Sequence, residues 1–405
     1  MTQRRLPRPA ELRQVLRPRP QRLDPVERRL ARAHSVDDLR VIARRRTPRA
    51  VFDYTDGGTE EERSLARNRE AFGRVEFSPR VLRDVSKADP STVILGRPAA
   101  LPLAFAPTGF TRMMQHEGEP AVARVAHAAG VPYCLSTLGT TSVEELVAAA
   151  PGGRNWFQLY LFQDRAASRD LIARAEAAGY EAIVLTVDVP IQGGRRRDLR
   201  SGLTMPPTLT LRTLAEGTLH PSWWFNFLTT EPLRFASFGG HSESLADQIT
   251  RVFDPSLTFD DVTWLRSVWP GTLVVKGIQS VDDARALADL GVDGLVVSNH
   301  GARQLDRAPV PLELLGEVTA AVGDRVEVLL DGGVRTGADV VAAVALGARA
   351  VLVGRAYLYG LMAGGQQGVQ RVLDLLATEI VRTMILLGVT AIDQLDPTYA
   401  RLRER

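Results

Sequence analysis

The stretch Ser298-Asn299-His300-Gly301-Ala302-Arg303-Gln304-Leu305-Asp306 places an imidazole three positions before a guanidinium. Histidine accepts a proton near neutral pH, and the planar fork of arginine matches a carboxylate. A base beside a carboxylate clamp suits proton abstraction from a 2-hydroxy acid. Asp188, which closes the apolar run AIVLTVD, is the candidate to orient the imidazole and stabilise its protonated form. A capping or loop-anchoring role is the alternative for that residue. Lys276 is the next candidate, because only Lys87 and Lys276 among the 50 basic residues are lysines. A lysine inside the run TLVVK therefore asks for a reason. Its ammonium is a compact charge suited to an anion developing on a cofactor ring, and a buried ion pair is the competing reading.

Two glycine-bearing loops, DGGVRTG at 331–337 and GRA at 354–356, read as a phosphate site. Gly332 and Gly333 let the backbone approach an anion, Arg335 and Arg355 bring charge, and Gly337 opens a helix whose N-terminus favours phosphate. A phosphorylated ligand is expected.

The elements that must position these groups are short apolar runs followed by helix-like segments. The runs begin near residues 103, 131, 156, 182, 272, 294, 326 and 350. Continuous apolar runs suit parallel strands buried on both faces. The segments 118–129, 164–178, 280–290 and 337–346 carry helical periodicity, with Gly130, Gly179, Gly291 and Gly347 in stop positions. This predicts a (β/α)8 TIM barrel of the α/β class. An open doubly wound sheet is the runner-up, but its dinucleotide fingerprint GxGxxG is absent. Function in such a barrel sits at the carboxyl ends of the strands. The ends read Pro107-Thr108-Gly109, Ser136, Gln158 and Tyr160, Thr186 and Asp188, Lys276, Ser298 to His300, Asp331 to Gly333, and Gly354-Arg355. Between Val189 and Gly271 the spacing exceeds an ordinary βα connection. This insertion of about 189–271 is expected to form a lid or docking element, opening with Arg195-Arg196-Arg197 and carrying Trp223-Trp224-Phe225-Asn226-Phe227-Leu228.

Hydrophobic residues make up 45% and charged residues 24% of the 405, which excludes disordered, collagen-like and membrane-spanning classes. The Arg-rich start lacks the apolar block of a secretory signal, and the single cysteine, Cys134, forms no intramolecular disulfide. A cytoplasmic location is expected; the aromatic cluster of the insertion is read either as peripheral contact with the cytoplasmic membrane face or, the more frequent fate of such a cluster, as burial against the barrel. Residues 1–49 hold fifteen Arg against five acids, about +10, so the remainder is about −7 within the total of +3. That range reads as a basic N-terminal arm with a helix-like stretch over 24–47, ahead of a barrel domain over 50–405. The arm lacks aromatic stacking platforms, so no nucleic-acid partner is expected.

From about Ser35 to the C-terminus the chain resembles the FMN-dependent 2-hydroxy-acid dehydrogenases and oxidases. The motifs FDYTDGG, WFQLY, LTVDVP, VVKGI, SNHGARQLD, LDGGVRTG and GRAYLYG carry the resemblance. The basic preamble, HPSWWFNFLTTEPL and RAYLYGLMAGG are most similar to the quinone-linked L-lactate dehydrogenases within that family. The resemblance implies FMN across the strand ends, with its phosphate on Gly332, Gly333, Arg335, Gly354 and Arg355. Pro107, Thr108, Gly109, Ser136, Gln158, Thr186, Lys276 and Ser298 would line its ring, and Asp331 would hold the ribityl chain. It implies His300 as base with Asp188 as partner, Tyr54, Arg303 and Arg195 on the substrate carboxylate, and Tyr160 near the substrate hydroxyl. No metal is implied, and a homotetramer is.

The chain departs from parts of the pattern. Gly109 stands where glycolate-type oxidases carry Ala, which leans toward a dehydrogenase. Leu138 replaces a pocket Trp of glycolate oxidase and favours an aliphatic acid such as lactate, while Phe162 stands where Tyr is common. Arg195 is chosen among three arginines by counting back from Asp198. The expectation is oxidation of L-lactate to pyruvate, with electrons passed to a quinone. An oxidase making hydrogen peroxide and a mandelate-type dehydrogenase are the alternatives from the same site. A flavin-free barrel isomerase or lyase would use only the phosphate loops.

Overall fold

The eight apolar runs become eight parallel strands in a computed structural model that describes residues 5, 8–15, 24–202, 218–237 and 252–404. They are β1 (Leu103–Phe105), β2 (Tyr133–Ser136), β3 (Asn155–Leu159), β4 (Ala182–Thr186), β5 (Thr272–Ile278), β6 (Gly294–Val297), β7 (Glu327–Asp331) and β8 (Ala350–Val353). They pair in sequence order, and β8 closes on β1 with Val351 opposite Leu103. The fold is a (β/α)8 barrel.

Strand side chains alternate between the barrel interior and the surrounding helices. Ala104, Cys134, Trp156, Val184, Val274, Val296, Leu329 and Leu352 form one apolar interior cluster. The next residue of the same parity is polar on six strands: Ser136, Gln158, Thr186, Lys276, Ser298 and Asp331. Register puts Ser136 opposite Gln158 and Thr186 opposite Lys276. A polar layer thus caps an apolar one, and a one-residue slip on any strand would turn its polar group outward.

The returning helices include Gly118–Ala128, Arg165–Ala177, Val281–Asp289 and Gly337–Ala345, within two residues of the expected segments. The long spacing after β4 resolves into two parts. Helix Phe259–Val268 immediately precedes β5 and is the returning helix of an ordinary βα unit. The inserted part therefore ends before it, earlier than the expected boundary near 271. The insertion contains helices Arg196–Ser201 and Pro221–Thr229, while its residues 203–217 and 238–251 lie outside the described residues.

The stretch 24–47 is not one helix. It breaks into Pro25–Leu30 and Val36–Arg46 because Ser35 is extended and its side chain accepts from the Asp38 N–H, starting a new helix. Leu39 and Ala43 of the second helix are buried in the main core, and this helix packs on the C-terminal helix Arg355–Leu387. The first part of the basic arm, residues 1–4, 6–7 and 16–23, lies outside the described residues. No helix among the described residues is long and apolar enough to cross a membrane.

Candidate active site

One cleft opens at the carboxyl ends of the strands, with about 1350 Å3 of empty volume including its mouth. Its wall includes Tyr54, Pro107, Thr108, Gly109, Ser136, Gln158, Tyr160, Thr186, Arg195, Lys276, His300, Arg303, Asp331, Gly332, Gly333, Arg335, Gly354 and Arg355. Asp188 and Ser298 are not on that wall; they stand behind it and hold residues that are.

Asp188 lies two residues past β4 with its side chain buried, and its Oδ1 is 2.9 Å from His300 Nδ1. Burial pushes the Asp188 carboxyl up, but the facing His300 and then Lys276 outweigh it, and the net shift is downward. An ionised carboxylate accepts a hydrogen bond from Nδ1–H, the tautomer that leaves Nε2 as the proton acceptor. His300 itself has a left-handed backbone, φ 57°, and its N–H donates to Ser298 Oγ at 3.0 Å. Asp188 needs open space beside β5. A side chain at Gly277 would sit 2.7 Å from the Asp188 Cβ, and the β5–β6 register shifts between Lys276 and Ile278 at this glycine. The VVKGI motif therefore delivers two groups: the lysine, and the space for the carboxylate.

Lys276 is 3% exposed, with Nζ donating to Ser298 Oγ at 3.1 Å and lying 3.0 Å from Asp331 Oδ2. Burial pulls the ammonium down; Asp331 and Asp188 outweigh burial and raise it, so the charge is kept. Both sequence readings of Lys276 are combined here, since the ion pair is real and the ammonium also faces the cleft.

The polar layer carries unsatisfied groups. Gln158 Oε1 accepts from Ser136 Oγ at 3.0 Å, while Gln158 Nε2, Thr186 Oγ1 and Asp331 Oδ1 are buried without a hydrogen-bond partner among the described residues. Buried polar atoms are rarely left unpaired, and three around one cleft suit a polar ligand. A flavin ring offers carbonyl oxygens and a ring N–H along one edge and hydroxyls on its side chain, so these residues fit FMN.

The phosphate end differs from expectation in one respect. The N-terminus of helix Gly337–Ala345 is closed by the chain's own carboxylates: Asp339 accepts from the N–H groups of Arg335 and Thr336, and Glu379 accepts from that of Gly337 at 2.7 Å. Helix Arg355–Leu387 begins at Gly354 with no side-chain cap, and Gly354 and Arg355 line the cleft. The open helix terminus is thus the one after β8. Gly332 and Gly333, with φ of 96° and 95°, occupy the left-handed region. A Cβ at Gly333 would meet the Asn68 carbonyl oxygen at 2.5 Å. Arg355 is largely committed to the scaffold, donating to the carbonyl oxygens of Thr55, Gly301 and Gly57 at 2.7–2.9 Å. Arg335 is the freer charge, its side chain lying over the Tyr359 ring at 5.2 Å.

At the mouth, Arg303 and Arg195 face the Tyr54 ring at 4.9 and 5.0 Å. Arg303 Nη1 donates to the carbonyl oxygens of Tyr54 and Gly57, and no carboxylate pairs with it among the described residues. Burial and then the neighbouring Arg195 pull its guanidinium down to about 10. Arg195 pairs with Asp198 at 2.8 Å, so the two partly desolvated guanidinium groups share one carboxylate and could hold a second from a ligand. The three consecutive arginines separate cleanly. Arg195 lines the cleft, Arg196 lies 3.9 Å from Glu61 on the surface, and Arg197 pairs with Asp56 and Glu62. Tyr160 is buried, and burial followed by Asp188 raises its phenol, so it stays a neutral donor.

Sequence reasoning missed Phe235, Phe253 and Gln192, which the insertion returns to the cleft. Their only signal is position between β4 and β5. Phe162 is buried but is not on the cleft wall.

Residues 43–402 match the family described as FMN-dependent dehydrogenase. The Mycobacterium tuberculosis protein named "Putative L-lactate dehydrogenase" is 54% identical over 98% of this chain and 96% of its own length. The L-lactate dehydrogenase of Caulobacter vibrioides is 46% identical over 90% of this chain and 96% of its own. Among solved structures, that of the monotopic membrane protein (S)-mandelate dehydrogenase superposes with a TM-score of 0.89 at 38% identity, covering 92% of this chain and all of that one.

Proposed function

The chain belongs to the FMN-dependent dehydrogenase family and is an FMN-dependent enzyme of 2-hydroxy-acid oxidation, and from this premise we propose that it oxidises L-lactate to pyruvate and delivers the electrons to a quinone. The observation that carries the reading is the His300–Asp188 pair on a cleft whose mouth holds Arg303, Arg195 and Tyr54. FMN, when bound, would supply a two-electron acceptor.

The chain's own residues then do the following. Arg303 and Arg195 bind the substrate carboxylate and fix the orientation of the 2-carbon. Tyr160 donates to the substrate hydroxyl oxygen. His300 Nε2 accepts the hydroxyl proton, and Asp188 stabilises the imidazolium that results. Lys276 lines the same cleft and would supply a fixed positive charge to the bound cofactor. Gln158, Thr186 and Asp331 would hold the cofactor through the atoms that have no partner within the described residues.

Lactate is supported by the names of the bacterial relatives and by aliphatic Leu138 on the cleft wall. The acceptor is tested by reoxidation of the lactate-reduced enzyme. A dehydrogenase reoxidises slowly in air and quickly with a soluble quinone; rapid return in air with stoichiometric peroxide would make it an oxidase.

We also infer peripheral contact with the cytoplasmic membrane face. Helix Pro221–Thr229 divides its aromatic cluster. Trp223 is half-buried, with Nε1 donating to the Met113 carbonyl oxygen at 3.0 Å and its ring stacked on Phe227. Phe225 and Leu228 are 68% and 67% exposed. Exposed large apolar side chains clustered on one helix favour a membrane interface.

A further inference from the structure

A second cavity lies beneath that helix, with about 760 Å3 of empty volume including its mouth. Its walls bring together Arg29, Arg46, Arg112 and His116 with the aromatic faces of Trp223 and Phe227. The room arises where helix Arg355–Leu387 breaks, since Gly364 and Gly365 are non-helical and also line the cavity.

The charges here do not balance. Each guanidinium is tethered to a neutral oxygen: Arg29 Nε to the Ala363 carbonyl at 2.8 Å, Arg46 Nη2 to Ser222 Oγ at 3.0 Å, and Arg112 Nη2 to the Glu231 carbonyl at 2.9 Å. Five N–H donors per guanidinium leave several unused. None of the three pairs with a carboxylate among the described residues. Glu117, the one acid on the wall among the described residues, accepts from Gln115 Nε2 at 3.0 Å and from the Gln366 N–H at 2.8 Å. His116 Nδ1 is buried with no hydrogen-bond partner among the described residues. Burial and then Arg46 pull the Arg29 guanidinium below its ordinary value. Three half-buried cations around one space call for an anion with several acceptor oxygens, and a phosphate group presents them in suitable number.

We propose that this cavity takes the phosphate of an anionic phospholipid, with Arg29, Arg46 and Arg112 on the headgroup and Phe225 and Leu228 in the apolar layer beside it. The observation selecting a lipid over a free anion is this adjacency: the cationic cavity and the exposed apolar face share one helix, as an amphiphile requires. The proposal rests on the peripheral-membrane reading above and adds to it a headgroup site.

The test is co-sedimentation of the full-length FMN-loaded protein with vesicles of phosphatidylcholine alone or mixed with phosphatidylglycerol. Three double variants accompany the wild type: Arg29→Gln/Arg46→Gln, Arg44→Gln/Arg45→Gln and Phe225→Ser/Leu228→Ser. The wild type is expected to bind the anionic vesicles roughly tenfold or more tighter than the neutral ones. The Arg29/Arg46 variant should lose that preference while retaining bound flavin and its bleaching by L-lactate. The Arg44/Arg45 variant, altered on the exposed face of the same helix, should keep it. The Phe225/Leu228 variant should weaken binding to both vesicles. Equal losses from the two arginine variants would mean general attraction and overturn the site. Calorimetric binding of inorganic phosphate that only the Arg29/Arg46 variant loses, with vesicle binding unchanged, would reassign it to a free anion and overturn the lipid assignment. A wild type that binds neither vesicle would overturn the membrane reading as well, and lactate bleaching reports separately on the active site.

Discussion

Asp188 Oδ1 and His300 Nδ1 meet at 2.9 Å across a gap of 112 residues in sequence, and the carboxylate stays ionised although it is buried because His300 and Lys276 outweigh the burial. The pair makes the imidazole a directed base. Asp188→Asn retains the size of the side chain but removes the charge that stabilises the imidazolium. The expected result is flavin reduction by substrate slowed by ~10²–10⁴-fold with FMN retained. Stopped-flow absorbance of the reduction step checks this, and a rate within threefold of wild type would remove Asp188 from the proton transfer.

Arg303 lies over Tyr54 and is anchored on the Tyr54 and Gly57 carbonyl oxygens. Arg303→Lys replaces a fork with a point charge and is expected to raise the substrate concentration for half-maximal reduction by ~10-fold or more. Titrating the reduction rate against substrate measures it. An unchanged half-saturation would place the carboxylate elsewhere.

Lys276→Met leaves Asp331 as a buried carboxylate without its cation. Removing one partner of a buried pair costs about 3–5 kcal/mol, so thermal unfolding should shift down markedly. The same variant should hold FMN with a lowered reduction potential, because a fixed positive charge near the ring site is gone. Equilibrium reduction against a reference dye reads the potential directly, and an unchanged value would confine Lys276 to scaffolding.

Asp56 fastens the insertion to the barrel. It pairs with Arg40 at 2.5 Å and Arg197 at 2.9 Å and accepts from the Tyr359 hydroxyl at 2.8 Å. Burial raises its carboxyl, but Arg40, Tyr359 and Arg197 together bring it well below the usual carboxylate range. A depressed folded value gives stability that is fully present above the unfolded carboxylate value of about 3.9 and is lost as pH falls through the lower folded value. The melting-temperature gap between wild type and Asp56→Asn should therefore be constant from about pH 8 to 5 and narrow below about pH 4. Thermal melts across that range test it, and a gap that widens on acidification would contradict the assignment.

The barrel and its polar layer are legible in the sequence for the same reason. Eight continuous apolar runs alternate with helical segments, and most of them end in a polar residue such as Gln158 or Lys276, which marks both the strands and their functional ends. The histidine and its carboxylate partner follow from their positions at strand ends. Other parts are hidden because their partners lie far away in sequence. Asn299, inside the conspicuous SNHG motif, is held by reciprocal amide bonds to Asn68 at 2.9 Å, which nothing near either residue announces. Glu379 closes the Gly337 helix from 42 positions away, so the open helix terminus moves to Gly354. Arg195 becomes separable from Arg196 and Arg197 only when helix Arg196–Ser201 turns the three to different sides. The aromatic residues of the insertion were visible as a cluster, but their division into a half-buried and an exposed face depends on where the helix packs.

The most direct measurement is the visible spectrum of the purified protein under anaerobic conditions, before and after L-lactate, followed by air. Oxidised flavin bands should bleach on adding lactate and return slowly in oxygen but quickly with a soluble quinone. Flavin that lactate leaves oxidised would contradict the substrate assignment, and colourless protein that does not take up FMN would contradict the reading of the cleft itself.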